Sequence, residues 1–260
     1  MNVSRETFTT KIRRKTLEFA IFKEKCIDIF AKNASLPSPD GRQIELLFKL
    51  TERMLEVNKS MNLTAITDEE SIILKHYADS LTVSVYIPQG AKVIDIGCGA
   101  GFPTLPLAIF RPDLAITALD GTAKRIEYVK QTAKMLGLDN VDAIAGRAEE
   151  YASKAEFREK FDVATARAVA ALPVLAELCL PFVKKNGAFV SMKASQGERE
   201  LEEAKNAIRI CGGADATCDK LLLTADGENF ETRVIIRTQK IALAPAKYPR
   251  HYSQISKKPL

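Results

Sequence analysis

The first ninety residues carry apolar side chains at helical spacing. Between residues 11 and 32 the apolar positions recur mostly every three or four residues: Ile12, Phe19, Phe22, Cys26, Ile29 and Phe30. After a turn at 36–41, a second stripe over 43–58 consists of Ile44, Leu47, Leu50, Met54 and Val57. A third helix is predicted over 68–86, because Thr67 or Asp68 suits an N-cap and Pro88 follows its end. The pattern predicts an N-terminal helical extension.

From residue 91 onward, strand-like runs alternate with helical ones. Strands are predicted at 93–96, 115–119, 141–145, 161–165 and 188–192, and helices at 104–110, 123–136, 170–183 and 198–210. Two last strands, 221–223 and 233–240, are expected to form a hairpin. Alternation of this kind predicts an α/β fold, a doubly wound parallel sheet with helices on both faces. We expect an extension over 1–90, an α/β domain over 91–240 and a tail over 241–260.

Composition excludes several classes of protein. Of the 260 residues, 46% are hydrophobic and 27% are charged, which is typical of a globular chain rather than a disordered one. The longest apolar run, 168–176, is far shorter than the roughly 18 residues that span a bilayer. Residues 1–15 lack the apolar segment of a secretory signal. We therefore expect a cytoplasmic protein with no membrane partner.

Cysteine and histidine are too few and too scattered for a metal site. There are five cysteines, no Cys-x-x-Cys pair and two histidines. Neither a zinc site nor a disulfide framework is supported, so we expect reduced thiols and no metal. The histidine at 76 invites a catalytic role, but a hydrogen-bonded packing role in the extension is at least as well supported.

The positive charge is concentrated near the C-terminal end. The formal net charge is +5, and no Asp or Glu follows Glu231, whereas seven Lys and Arg residues do. A basic tail favours a polyanionic partner such as RNA, although a solvated charged end without a partner is a common alternative.

A glycine-rich turn follows the first predicted strand. Residues 93–110 read VIDIGCGAGFPTLPLAIF, with Gly97, Gly99 and Gly101 between an apolar strand and a helix. Glycine lets a backbone turn sharply and approach a ligand closely. The dinucleotide pattern requires a further glycine where this chain has Phe102, and the Lys-Ser/Thr of a triphosphate loop is missing. The turn therefore favours a methyl-donor nucleoside over a nicotinamide dinucleotide.

Two further turns at the same sheet edge carry candidate ligand contacts. Asp120 ends the second strand and is placed to accept hydrogen bonds from ribose hydroxyls, or to cap the next helix. After the third strand, Ala148 and Glu149 stand where such folds contact adenine, or simply start a helix. Phe102 is a candidate to cover the apolar side of the cofactor.

Several separated motifs, in order, resemble one family. They are residues 61–66 (MNLTAI), 75–81 (KHYADSL), 95–103 (DIGCGAGFP), 165–169 (TARAV), 248–250 (YPR) and 257–260 (KKPL). From about Arg42 onward the chain resembles the bacterial 16S ribosomal RNA guanine-N7 methyltransferases, also called the glucose-inhibited division protein B family. Residues 251–256 depart from the Gly and Pro usual in that family's ending.

The resemblance implies a fold, a cofactor, a partner and a site. The fold is a seven-stranded, Rossmann-like class I methyltransferase sheet with an N-terminal helical extension. The cofactor is S-adenosylmethionine, and the partner is 16S ribosomal RNA or the small ribosomal subunit, methylated at guanine 527. Gly97, Phe102, Ala148, Glu149 and Arg167 are the implied cofactor positions, to which the glycine turn adds Gly99 and the second strand adds Asp120.

The chemistry of guanine N7 fits the residues present. N7 has a lone pair and no proton at neutral pH, so transfer requires alignment rather than a general base. After the fourth strand, residues 164–167 replace the Asn/Asp-Pro-Pro-Tyr/Phe loop of amino-group methyltransferases, and the nearest cysteine is a helix away. We expect no catalytic base. Arg167 is expected to orient the base or its phosphate.

Four cations are candidates to bind RNA, and other functions remain open. Lys124, Arg147, Lys193 and Arg250 are expected to hold phosphates or the guanine O6 edge, although each is otherwise an ordinary surface cation. No segment indicates an obligate protein partner. The alternatives are a small-molecule methyltransferase, an NAD-dependent oxidoreductase and a non-catalytic RNA-binding module.

Overall fold

Seven strands form a single sheet in the part of the chain that the structure describes. The computed structural model describes residues 3–260, with side chains from residue 18 onward, so the predicted apolar position Ile12 lies outside the described side chains. The strands are β1 (Lys92–Ile96), β2 (Ala115–Asp120), β3 (Val141–Ala145), β4 (Phe161–Arg167), β5 (Val183–Lys193), β6 (Thr217–Thr224) and β7 (Phe230–Gln239). Their order is β3-β2-β1-β4-β5-β7-β6. Strand β7 is antiparallel to both neighbours, and the other pairs are parallel.

The extension consists of helices that pack on one face of this sheet. They are α1 (Val3–Lys32), α2 (Gly41–Met61), α3 (Glu69–Ile72) and α4 (Asp79–Leu81), with a π-helical segment at Ile73–Ala78 and a 3-10 turn at Ser84–Tyr86. Asp40 and Gln43 form a capping box that starts α2. Asp68, rather than Thr67, caps α3, because its carboxylate accepts the Ser71 amide. The third predicted helix is therefore present but interrupted.

The connections between strands supply the remaining helices. They are α5 (Thr104–Phe110), α6 (Ala123–Leu136), α7 (Ala148–Tyr151), α8 (Leu172–Cys179) and α9 (Gly197–Ile210), followed by α10 (Tyr252–Lys257) in the tail. Two buried clusters cover the two sheet faces. Val93 belongs to the cluster that includes the extension, and its neighbour Ile94 belongs to the cluster that includes α8 and the tail. The predicted doubly wound α/β fold with a terminal hairpin is confirmed.

The helix predicted over 170–183 is too long. It ends as α8 at Cys179, a 3-10 turn follows at Leu180–Phe182, and Val183 already pairs with Phe161 as the first residue of β5. Pro181 cannot donate a helical hydrogen bond, so the chain leaves the helix there. Strand β5 begins five residues earlier than predicted, at Val183, and the exposed polar residues 184–186 hid that start from the sequence pattern.

Candidate functional site

The glycine loop after β1 has the backbone conformation that only glycine adopts readily. Gly97, Gly99 and Gly101 have φ of +72°, +56° and +86°. The amides of Gly97 and Cys98 donate to the Leu119 carbonyl at 2.7 and 3.2 Å, which ties the loop to the end of β2. A Cβ on Gly97 would lie 2.5 Å from a methyl carbon of Val169, so the loop after β4 rests against the loop after β1.

Asp120 connects this loop to the next helix. Its buried carboxylate accepts the Gly99 amide at 3.0 Å and the Thr122 amide at 2.8 Å. Each carboxylate oxygen has a further lone pair, so these bonds leave acceptor capacity for a ligand hydroxyl. Asp120 can therefore hold the start of the next helix and still accept a hydrogen bond from a ribose hydroxyl.

The space beside the loop is suited to a polar nucleoside. A Cβ on Gly99 would meet nothing closer than a backbone oxygen at 4.0 Å, which means that the loop faces open space. Asp95 is buried at the end of β1, where one carboxylate oxygen accepts the Thr104 hydroxyl at 2.7 Å and the other has no hydrogen-bond partner among the described residues. Burial raises the pKa of Asp95 to about 6. The open space at Gly99 and the unpaired oxygen of Asp95 both fit a ligand that forms hydrogen bonds. The backbone at Gly99 has no side chain that would keep such a ligand away.

The turn after β3 lies next to Asp120. The Gly146 amide donates to the Asp120 carbonyl at 3.0 Å, which brings the start of α7 to the same sheet edge. There Glu149 is buried, and its carboxylate accepts the Tyr252 amide of the tail at 3.2 Å. Arg147 is exposed, and its guanidinium would lie 3.5 Å from a Cβ on Gly121. The structure thus assembles the predicted ribose and adenine positions from three separate loops.

Phe102 faces the extension. Its ring is buried and stacks on the His76 ring, with a centroid distance of 4.4 Å and an interplanar angle of 8°. The His76 Nε2 atom pairs with the Thr64 hydroxyl at 2.9 Å, and burial lowers the pKa of His76 to about 4. The imidazole is therefore neutral at pH 7 and packed. A cofactor contact for Phe102 stays a prediction.

Arg167, the last residue of β4, is held by an ion-pair network. Its Nη1 donates to the Asp79 carboxylate at 2.7 Å and to the Lys75 carbonyl at 2.8 Å. The other Asp79 oxygen accepts Arg233 Nε at 2.8 Å. Glu231 then pairs with both Arg233 and Lys75, each at 2.8 Å. We call these five residues the Asp79 network.

The Asp79 network joins three parts of the chain. Asp79 and Lys75 belong to the extension, Arg167 to β4, and Arg233 and Glu231 to β7. Asp79, Arg233 and Glu231 are absent from the sequence-based site, because each is an ordinary charged residue until the fold places it beside Arg167. The sequence offered one indication of this network: Asp79 lies within the 75–81 motif, on which the family resemblance rests.

A cavity of about 590 Å³ opens beside Arg167. Its wall includes Asp79, Arg233, Lys193 and Glu200, together with the loop after β4. Lys193 pairs with Glu200 at 2.7 Å and donates to the Ala170 carbonyl at 2.6 Å. The cavity therefore presents cations whose positions are fixed by acidic partners, next to the glycine loop.

Of the four predicted RNA contacts, Lys193 lines this cavity, whereas Lys124, Arg147 and Arg250 do not. Lys124 is exposed at the start of α6. Arg250 is bound to Glu177 of α8, with its Nη2 and Nε atoms 2.6 and 2.9 Å from the carboxylate. Of the four predicted cations, Lys124 and Arg147 are exposed, whereas Lys193 and Arg250 already have acidic partners. A contact of any of them with RNA stays a prediction.

Among the described residues, no group of three or more His, Cys, Asp or Glu could hold a metal ion. The same residues include no helix with the length and apolar character required to cross a bilayer.

The strand order, the antiparallel β7 and the glycine loop after β1 define a Rossmann-like class I methyltransferase. A family profile described as rRNA small subunit methyltransferase G matches residues 43–225. Ribosomal RNA small subunit methyltransferase G of Geobacillus sp. (strain WCH70) is 43% identical, covering 88% of this chain and 94% of the relative. The protein of that name from Brevibacillus brevis is 42% identical, covering 92% and 99%. The chain belongs to the rRNA small subunit methyltransferase G family.

A solved structure agrees on the fold. An O-methyltransferase from Bacillus cereus in complex with SAH has a TM-score of 0.50 and 18% identity, covering 73% of this chain and 90% of that one. The prediction of an S-adenosylmethionine-dependent methyltransferase is confirmed at the level of the family and the fold class.

Proposed function

We propose that this protein transfers a methyl group from S-adenosylmethionine to N7 of a guanine in 16S ribosomal RNA, with guanine 527 as the target. One observation carries the proposal: the cavity beside Arg167 adjoins the glycine loop, and both acidic side chains in its described lining, Asp79 and Glu200, are paired with cations. We further propose that the protein works in the cytoplasm, with residues 91–240 as the catalytic domain, 1–90 as its helical extension and 241–260 as its tail.

The cofactor site in this proposal lies at the carboxyl ends of β1, β2 and β3. Gly97 and Gly99 let the backbone approach the ligand, and Asp120 accepts hydrogen bonds from the ribose hydroxyls. Ala148 and Glu149 hold the adenine. S-adenosylmethionine supplies an electrophilic methyl group when bound, so the protein has only to bind, orient and exclude water.

The acidic groups near the cavity favour a target atom that carries no proton. Asp79 accepts hydrogen bonds from Arg167 and Arg233, and Glu200 is paired with Lys193. The neutral His76 ring is packed against Phe102. A carboxylate bound to guanidinium or ammonium groups is a poor proton acceptor. Guanine N7 requires none, and its neighbour O6 accepts hydrogen bonds from arginine.

The basic surface in this proposal binds the RNA backbone. Lys124, near the start of α6, and Arg147, in the turn after β3, are exposed, so a phosphate can approach them. Lys193 and Arg250 can contact RNA only if they exchange or share their acidic partners. Affinity for RNA should fall steeply with salt, since each phosphate contact releases about 0.7–0.9 of a counterion.

The test is methyl incorporation followed by mapping. Purified protein is incubated with labelled S-adenosylmethionine and either small subunits lacking the modification or the free 16S RNA. Label at N7 of one guanine supports the proposal, and mapping gives its position. Label on another atom, or on no RNA despite donor binding, refutes the assignment of the substrate.

A further inference from the structure

The tail is bound closely to the body of the protein. Ile255 is fully buried, and Tyr248 is nearly so. The guanidinium of Arg158 donates to the carbonyls of Tyr248 and Ala244 at 2.9 and 2.8 Å, and it also reaches the carbonyls of Pro245 and Ala152. One arginine therefore gathers three tail carbonyls against the loop before β4. Although the tail is basic, it is a packed element.

A buried carboxylate anchors the middle of the tail. The Glu177 side chain in α8 has no exposed surface, and it accepts three hydrogen bonds from Arg250. They come from the backbone amide at 2.8 Å, from Nε at 2.9 Å and from Nη2 at 2.6 Å. Since a buried carboxylate without a partner is strongly unfavourable, this anchor fixes residue 250 relative to α8.

Two residues beyond this anchor, the tail reaches the proposed adenine position. Tyr252 is the first residue of α10, so its amide has no acceptor within the helix. The Glu149 carboxylate accepts that amide at 3.2 Å. Glu149 is buried in the first turn of α7, directly after the loop that follows β3. The orientation of its carboxylate therefore depends on the tail.

We propose that residues 244–260 are a positioning element of the cofactor site, in which Arg250 holds the tail on Glu177 and the Tyr252 amide orients Glu149 toward the amino edge of the adenine. This inference rests on the proposed function, because it takes Glu149 as an adenine contact. In this inference Arg250 is a positioning residue, because it acts on the cofactor through Tyr252 and Glu149. This role is separate from the contact with RNA proposed above.

Tyr252→Pro tests the contact directly. Proline removes the amide donor, it is favoured at the first position of a helix, and the extended conformation of His251 (φ −60°, ψ 139°) suits a following proline. Tyr252→Ala is the matched control, because it removes the side chain and keeps the amide. Calorimetry with S-adenosylhomocysteine should give a Kd about tenfold higher for Tyr252→Pro than for Tyr252→Ala.

Two further readouts separate positioning from general damage. The KM for S-adenosylmethionine should rise about tenfold in Tyr252→Pro relative to Tyr252→Ala, with kcat unchanged, because the amide acts on donor binding. Preference for S-adenosylhomocysteine over its inosine analogue should also shrink, since Glu149 accepts from the amino group. Equal Kd values for the two variants refute the inference and leave the proposed function intact. A wild-type protein that binds neither donor nor product refutes both.

Hydrogen exchange on the wild type keeps the inference testable if Tyr252→Pro melts at a clearly lower temperature. Because linkage is reciprocal, saturation with S-adenosylhomocysteine should slow exchange of the amides of residues 251–257 by roughly tenfold. Exchange that ligand leaves unchanged would overturn the proposal.

Discussion

Replacing Asp79 by asparagine should impair both stability and turnover. Asp79 is the shared acceptor of Arg167 and Arg233, at 2.7 and 2.8 Å. Its side chain is 8% exposed, and the two arginine side chains are 15% and 17% exposed. The pairs are therefore shielded from water, unlike ordinary surface ion pairs. Asparagine keeps the shape and one acceptor oxygen but removes the charge.

The expected magnitude follows from what the substitution leaves behind. In the variant, Glu231 is the remaining carboxylate of the Asp79 network, and it pairs with Lys75 and Arg233. Arg167 loses the carboxylate that it contacts. Removing one partner of a buried pair typically costs about 3–5 kcal/mol. Asparagine still accepts from one arginine, so we expect a loss near the lower end, about 3 kcal/mol. A guanidinium displaced by about 1 Å from its working position should lower the rate about 100-fold.

Two measurements decide the outcome. Urea denaturation gives the loss of unfolding free energy, and initial rates of methyl incorporation into small subunits give the loss of turnover. Glu45→Gln is the control, because the Glu45–Lys49 pair is exposed on α2 and should leave both measurements unchanged. Full turnover in a destabilised Asp79→Asn protein would show that Arg167 does not need the ion pair with Asp79 to act in methyl transfer. Unchanged stability would refute the energetic argument itself.

Three other substitutions test the remaining parts of the site. Asp120→Asn should raise the Kd for S-adenosylmethionine at least about tenfold by calorimetry, and unaltered affinity would remove Asp120 from the ribose contact. Gly97→Ala should cost about 2 kcal/mol or more and abolish donor binding, because φ is +72° and Val169 blocks a Cβ. Gly90→Ala, at φ +69° in open space, is its control, and equal losses in urea denaturation would contradict the steric argument. His76→Gln should remove a pH dependence: the folded pKa of about 4 lies below the 6.5 of the free side chain, so stability is lost as pH falls through that window. Relative to wild type, the variant should gain about 2.4 kcal/mol between pH 7 and pH 4.5 in urea denaturation, and a constant difference would contradict the burial of a neutral imidazole.

The cofactor half of the fold was predictable because its signals are local. The strand 93–96 and the helix 104–110 agree with β1 and α5, since an apolar strand, a glycine turn and an apolar helix follow one another directly. Asp120 could be placed at the same edge, because the ends of parallel strands meet there. Local patterns of this kind need no knowledge of distant contacts.

Features that depend on distant contacts could not be predicted. Asp79 and Arg233 are 154 positions apart, and with 38 basic and 33 acidic residues no spacing rule selects that pair. The pairing of Arg250 with Glu177 is equally invisible, so a tail arginine looked free. The start of β5 was missed because residues 184–187 are polar or glycine and lack strand alternation.

The position of β7 between β5 and β6 has a consequence for biosynthesis. Strand β5 ends at Lys193 and its antiparallel neighbour begins at Phe230, so the 36 intervening residues must be translated before that neighbour starts to emerge. At a translation rate of about 5–20 residues per second, the backbone groups on this edge of β5 stay unpaired for roughly 2–7 s. An open edge of buried apolar residues is a template for association with other chains. Nascent chains should therefore be most prone to aggregation during this interval. Slow codons between the two strands would prolong the exposure of the β5 edge.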